Sequence, residues 1–329
     1  SYNIKNYYNF HKFNFLFRRI ETSKLDEITI KRIYNLKPNK IFALDIAAAS
    51  FAKQIFSKKI FIWLGDLNFS TTWYHFYYNF KNNYKYFLYF LFVKIIVKKW
   101  KYFYKKTLLN NFCVSGSNAN VNELKKIGIK SIYQPYPWIK VYKKINQKKK
   151  IKPSFLFFGN LVGLGSKSAM NYLIKNIYPN YENIWGKNGF KIYICGTYKL
   201  DENFKRKIKK LKNIKLMGYV DNLNTLASSC HACLFPIDVP VGNRSRIVTA
   251  MGSGWPIIAH ENVAIGNPSL ISGFNCYLAK NNHEFGLYSK LLYDKKYLAK
   301  KISLNAFNTY KSTFSLKKSL IKFGKFINE

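Results

Sequence analysis

Acidic side chains are scarce in this chain of 329 residues, which has 15 Asp and Glu against 55 Lys and Arg. No Asp-x-Asp occurs, and no other pair of carboxylates suited to a divalent ion lies near a glycine-rich loop, so no metal and no cofactor is expected. The five cysteines (Cys113, Cys195, Cys230, Cys233, Cys276) are odd in number and scattered. A disulfide framework is thereby excluded, and buried thiols in a reducing compartment are expected. Cys230-His231-Ala232-Cys233 lacks a second pair of ligands nearby and opens an apolar run, which favours a packing role over a metal site. No apolar run is long enough to span a bilayer: the closest, 87–97, is short and contains Lys94. No leader is visible, the chain starts without methionine, and its first strand-like run comes near residue 40, so the N-terminal domain is expected to be incomplete.

The surplus that results is a formal charge of +40. A polyanion-binding footprint would gather on one face, whereas these lysines run through nearly every segment beside abundant Asn, Ile, Tyr and Phe. That spread favours compositional bias, and no specific nucleic acid partner is expected. The segment 73–106 mixes aromatics and lysines more densely. It reads equally as a helix packed on a sheet with snorkelling lysines and as a surface that lies on an anionic membrane.

Short apolar strands alternate with helical spacing along the chain, which means a parallel sheet flanked by helices. In the first half strands are expected at 40–45, 59–64, 112–115 and 131–134. Pro135, Pro137 and a lysine-rich stretch then interrupt the pattern. Domains are accordingly expected at 1–148 and 149–329. The second series has strands at 154–158, 190–195, 214–217, 232–235, 256–259 and 275–279, with helices between them and three more at the end. The fold class is α/β with two such domains.

Four loops follow strands of the second half. Gly159 and Asn160, Gly196 and Thr197, and Gly218, Tyr219 and Val220 form three of them, each opened by a glycine that lets backbone approach a ligand closely. The fourth begins at Pro236 and runs through Gly242-Asn243-Arg244-Ser245-Arg246 into a helix that Gly254 and Pro256 end. A helix start aims free N–H groups and the positive dipole end at a bound anion. Cations at that end oppose the dipole, so two arginines there point to phosphate. Positions two apart lie far apart around a helix, which places Arg244 in the loop and Arg246 on the first turn. Both are expected to reach a diphosphate, with Ser245, Ile247 and Thr249 completing the site.

The stretch from Gly218-Tyr219-Val220 through Gly242-Asn243-Arg244-Ser245-Arg246 and Gly252-Ser253-Gly254-Trp255-Pro256 to Gly273-Phe274-Asn275 resembles the donor-binding domain of group 1 glycosyltransferases of the GT-B fold. Phe158-Gly159-Asn160 is similar to its first strand and loop. Val114-Ser115, with residues 123–128, is similar to the end of the acceptor domain. The resemblance implies two Rossmann-like domains facing a cleft. It further implies sugar transfer from a nucleotide donor to a glycan, lipid-linked or other hydroxyl acceptor, with retention, as in cell-envelope polysaccharide synthesis. It places Asp66, after Gly65, where a cleft-facing acid orients the acceptor or acts as a weak base, and His75 and Asp45 as weaker acceptor-side candidates; a capping acid and a surface histidine explain the same residues. Such an enzyme is expected in the cytoplasm, at the inner membrane face if 73–106 docks there. Relatives carry a glutamate at Thr249, an acid at Val241 and a basic residue at Asn160. These departures keep open a non-catalytic nucleotide-sugar-binding protein on the same scaffold.

Overall fold

The structure is a computed structural model that describes residues 20–139, 141–142, 149–196, 202–242 and 244–328. It forms two compact units, the first taking the described residues to Pro135 with Val241, Gly242 and 323–328, the second taking the rest.

In the first unit, α1 (Glu27–Tyr34) precedes β1 (Phe42–Leu44), α2 (Asp45–Ile55), β2 (Phe61–Leu64), α3 (Asn68–Asn82), α4 (Phe90–Leu108), β3 (Phe112–Ser115), α5 (Asn118–Lys126) and β4 (Ile132–Tyr133). A 3-10 turn, Tyr84–Tyr89, joins α3 to α4. The four strands are parallel and lie in chain order. Ile60, Ile62 and Leu64 pack with Phe69, Trp100, Phe103 and Tyr104 in one buried cluster. The Tyr104 hydroxyl accepts the Asn68 N–H at 3.2 Å and donates to the Asn68 side-chain oxygen at 3.1 Å, which pins the start of α3 to α4.

The second unit contains β5 (Ser154–Phe158), α6 (Leu164–Tyr172), α7 (Tyr178–Trp185), β6 (Lys191–Cys195), α8 (Glu202–Lys209), β7 (Ile214–Gly218), α9 (Leu223–Ser229), β8 (Ala232–Phe235), α10 (Ser245–Gly252), β9 (Ile257–His260), α11 (Asn262–Gly266), β10 (Tyr277–Ala279), α12 (Asn282–Asp294) and α13 (Lys296–Thr313). The last helix, α14 (Leu316–Asn328), begins in this unit. Its sheet is parallel in the order β10-β9-β8-β5-β6-β7. Every residue of β5, Ser-Phe-Leu-Phe-Phe, is buried, as a strand covered on both faces requires. The strand order reverses between β5 and β8, where open α/β sheets place their ligands.

The structure differs from the expected 148/149 boundary and divides at Pro135. The segment beyond it packs on the second unit: Trp138 donates its backbone N–H to the Phe314 carbonyl (3.1 Å) and accepts the Tyr310 hydroxyl on its own carbonyl (2.7 Å). The Tyr142 ring stacks on Trp255 with centroids 5.5 Å apart. The expected helix at 167–178 is instead α6, a π-helical turn at Leu173–Ile177 and α7. Pro179 lacks an N–H for a continuous ladder, and the wider turn absorbs the mismatch. No described helix is long and apolar enough to cross a membrane.

All five cysteines are free and buried, and His231 between two of them is a packing residue whose Nδ1 accepts the Ser154 N–H at 3.1 Å. Burial, reinforced by the charge of Lys149, holds its pKa down to about 4. The imidazole stays neutral in the fold, while the unfolded chain takes up a proton near the ordinary histidine value of 6.5. Its contribution is therefore constant above that value and turns destabilising as pH falls from there toward about 4. Urea midpoints at about pH 7.5 and about pH 5 are expected to drop more for the parent than for His231→Asn; equal drops would show that His231 does not set this slope.

Candidate functional site

Three glycines end three neighbouring strands and tie their loops together. Gly159 donates its N–H to the Cys195 carbonyl (3.0 Å), and Gly196 donates to the Gly218 carbonyl (2.7 Å), so the ladder continues past β5, β6 and β7. All three have positive φ, +125° at Gly159, +145° at Gly196 and +67° at Gly218. At Gly196 a Cβ would lie 1.8 Å from the Gly159 carbonyl oxygen, which no side chain tolerates. The close approach of these loops is thus a property of glycine alone.

Above them opens a pocket of about 380 Å³. Of the residues expected to face a ligand, Gly159, Asn160, Gly196, Tyr219, Val220, Ser245, Arg246 and Thr249 line it. Gly218 sets the loop without lining the pocket. Thr197 and Asn243 lie outside the described residues.

Arg246 is the charged centre of the pocket. Its guanidinium lies 5.2 Å from the Phe157 ring centroid and against Gly159, where a Cβ would come within 3.1 Å of Cζ. Nη2 donates to Ser166 Oγ at 2.8 Å and to the Asn160 carbonyl at 3.3 Å, while Nη1 is buried with no partner among the described residues. Burial pulls the pKa down to about 10, so the group remains charged at neutral pH. A buried N–H without an acceptor is costly, and an anion is the acceptor that would satisfy it. Ser245 and Arg246 also open α10, whose first-turn N–H groups have no carbonyl within the helix. The cationic side chain and the helix start therefore converge on one space.

Arg244 is not brought to that pocket. Its Nη2 donates to the Val239 carbonyl, and its Nη1 lies where a Cβ on Gly165 would meet it at 2.9 Å, next to the start of α6. Of the two arginines expected at one diphosphate, the structure places Arg246 in this pocket and Arg244 beside Val239 and Gly165. Pro236 and Ile247 are buried, and neither lines the pocket. The Ile247 N–H already donates to the Arg244 carbonyl at 2.9 Å.

Gly242 belongs to the first unit, with φ +84°, and a Cβ there would lie 3.0 Å from Asp66 Oδ1. Asp66 and the expected phosphate loop therefore meet at Gly242. Asp45 (φ +73°) accepts the N–H of Ile46 at 2.7 Å on its own carboxylate and starts α2, while His75 is exposed on α3. Neither lines the 380 Å³ pocket.

Sequence reasoning missed Trp138, which lines the pocket and donates its indole N–H to Thr249 Oγ1 at 2.7 Å. It also missed Tyr142, Ser166 and the exposed Asp221, of which only Asp221 carried a signal, as a rare acid directly after Val220. Cys195 lines the pocket as well, with its thiol pushed up to about 11 by burial, which leaves it unreactive at neutral pH. Among the described residues no group of three or more His, Cys, Asp or Glu could hold a metal ion.

Comparison with known proteins follows this geometry. Residues 152–293 match the family model described as glycosyl transferases group 1. No curated protein matches the sequence. Among solved structures, sucrose-phosphate synthase from Thermosynechococcus elongatus is similar with a TM-score of 0.64 at 11% identity, over 91% of this chain and 76% of that one. HepE of Anabaena, solved with UDP, gives 0.61 at 12% identity, over 91% and 81%. The pneumococcal O-GlcNAc transferase GtfA, solved with UDP and GlcNAc, gives 0.61 at 15% identity, over 91% of this chain and 59% of its own length. At these identities the likenesses establish the fold, that of GT-B proteins with two Rossmann-like domains.

Proposed function

We propose that this chain, whose residues 152–293 match the group 1 glycosyltransferase model, moves a sugar from a nucleoside diphosphate donor to a hydroxyl of a glycan or lipid-linked acceptor, with retention and without a metal. The observation that carries the donor assignment is the buried Nη1 of Arg246, unpartnered at the mouth of three glycine loops and the start of α10. The nucleotide lies along the Gly196 and Tyr219-Val220 loops, and the diphosphate meets Arg246 and the first N–H groups of α10. As the bond from the anomeric carbon to the diphosphate oxygen breaks, negative charge grows on that oxygen, and preorganised donors stabilise it there. The acceptor oxygen bonds to the anomeric carbon, its proton passes to the departing diphosphate, and Asp66 is the acceptor-side residue that orients the hydroxyl. Thr249, held by Trp138, offers the sugar one uncharged hydrogen bond.

The neighbours solved with UDP make uridine diphosphate and its sugars the first probes. A saturating nucleoside diphosphate at about 100 times its Kd should stabilise the protein by about 2.7 kcal/mol, a rise of roughly 5–10 °C in Tm for a domain of this size. Transfer of labelled sugar to a hydroxyl acceptor should then proceed at the same rate in EDTA, with the donor's anomeric configuration kept in the product by NMR. Loss of transfer in EDTA with recovery on added Mg²⁺ would overturn metal independence. A panel of nucleoside diphosphates that shifts nothing would remove the donor assignment.

A further inference from the structure

A second cavity, of about 570 Å³, lies in the first unit between α3, α4 and α5. Its wall from α4 is Lys94, Val97, Lys98 and Lys101, spaced three and four apart and hence on one face of that helix. Trp73 and Tyr74 from α3 and the Glu123–Lys126 pair from α5 face the same space. Four lysines therefore surround one glutamate, and that glutamate is already held by Lys126 at 2.5 Å. Among the described residues no carboxylate pairs with Lys94, Lys98 or Lys101. The ammonium groups of two of them face aromatic rings instead, Lys94 Nζ 4.2 Å from the Phe90 centroid and Lys101 Nζ 5.7 Å from that of Phe69.

The floor of the cavity is the start of α3, where Phe69 and Ser70 line it. In this helix of 15 residues the N-cap residue, Leu67, gives no side-chain cap, the Asn68 N–H is taken by the Tyr104 hydroxyl, and no acid lies in the first turn. Ser70 is only 5% exposed, and its hydroxyl has no hydrogen-bond partner. The first-turn N–H groups beyond Asn68, an orphaned hydroxyl and three ammonium groups without a carboxylate partner are the donors that a multiply charged oxyanion needs. The indole and phenol beside them suit an apolar or sugar moiety attached to it.

We propose that this cavity is a binding site for a phosphate ester, with the phosphate at the start of α3 between Lys98, Lys101 and Ser70 and its organic part against Trp73 and Tyr74. The site is separate from the donor pocket and stands whether or not sugar transfer is observed. The same headgroup chemistry could arrive on a soluble molecule or on a lipid, and two probes separate these sources: glycerol 3-phosphate followed by calorimetry, and phosphatidylglycerol vesicles followed by co-sedimentation, with phosphatidylcholine vesicles as the blank.

The full-length protein is expected to bind at least one of the two phosphate probes. Removing both Lys98 and Lys101 by substitution with Gln should weaken that binding about 30-fold, roughly fivefold for each lysine. A control with Lys105→Gln and Lys106→Gln removes the same charge from the exposed end of α4 and should bind like the parent. An unchanged Tm confirms that the variants fold. Binding of glycerol 3-phosphate that is lost in the Lys98 and Lys101 variant assigns a soluble ester; binding of phosphatidylglycerol vesicles alone, lost in the same variant, assigns a lipid. Failure to bind either probe, or equal weakening in the control, overturns the proposal.

Discussion

Replacing Arg246 by alanine is expected to lower sugar transfer by about 100- to 1000-fold, the usual cost of deleting one well-placed donor to a developing negative charge. The same substitution should leave the ligand-free Tm unchanged or raise it. In the absence of an anion the guanidinium is a desolvated charge with one nitrogen unsatisfied, and removing such a group often costs little or stabilises. The two readouts thus move in opposite directions, which a purely structural arginine would not produce. Arg246→Lys should fall between parent and alanine, since a lysine keeps the charge and loses the planar fork that spans Ser166 and the ligand. Measuring kcat, KM and the nucleotide-induced Tm shift for the three proteins decides the matter. Parent-like transfer by Arg246→Ala would end the assignment of Arg246 to the leaving group.

Gly196→Ala is expected to destabilise the second unit by about 2–6 kcal/mol, combining backbone strain of about 1–3 kcal/mol with overpacking of about 1–3 kcal/mol. Its φ of +145° is a region that L side chains rarely adopt, and the added methyl would collide with the Gly159 carbonyl. The relief available is to separate the β5 and β6 loops, which would also pull Gly159 away from the Arg246 guanidinium. Donor affinity should therefore fall in whatever fraction remains folded. Gly186→Ala provides the contrast, because it has φ +75° but nothing within 4 Å of an added Cβ. It should pay for strain alone, about 1–3 kcal/mol, and bind nucleotide normally. Chemical denaturation of both variants, with nucleotide titration of each, checks the pair; equal losses of stability would show that the loop contact at Gly196 carries no extra weight.

The strand ends were the most legible part of the sequence. Runs such as 154–158, 232–235 and 112–115 are mostly apolar and stop at a glycine or a proline, and the observed strands have those bounds. The helix 245–252 was equally clear, with arginine and serine at its start and Gly254 and Pro256 after its end. α11 escaped notice because five residues are too few to show a helical period. The spacing of Arg244 and Arg246 already implied different directions. Which one faces the pocket depends on the Val239 carbonyl and Gly165, and no local pattern encodes contacts across that distance. Trp138 was hidden for the same reason. It sits in a proline-interrupted stretch that reads as a linker, and its place is set by Thr249, Tyr310 and Phe314.

Phe323 and Phe326 of α14 pack on the first unit's sheet, with Phe326 edge-on to Phe61 at 5.3 Å and Phe323 edge-on to Phe42 at 5.2 Å. The sheet that holds β1, β2 and β3 is thus covered by residues made only after the second unit. During synthesis Phe61, Trp63 and Phe112 keep an apolar face open while the whole second unit emerges and folds. That long-range contact makes the first unit the later of the two to finish, and it makes part of α14 belong to that unit's core.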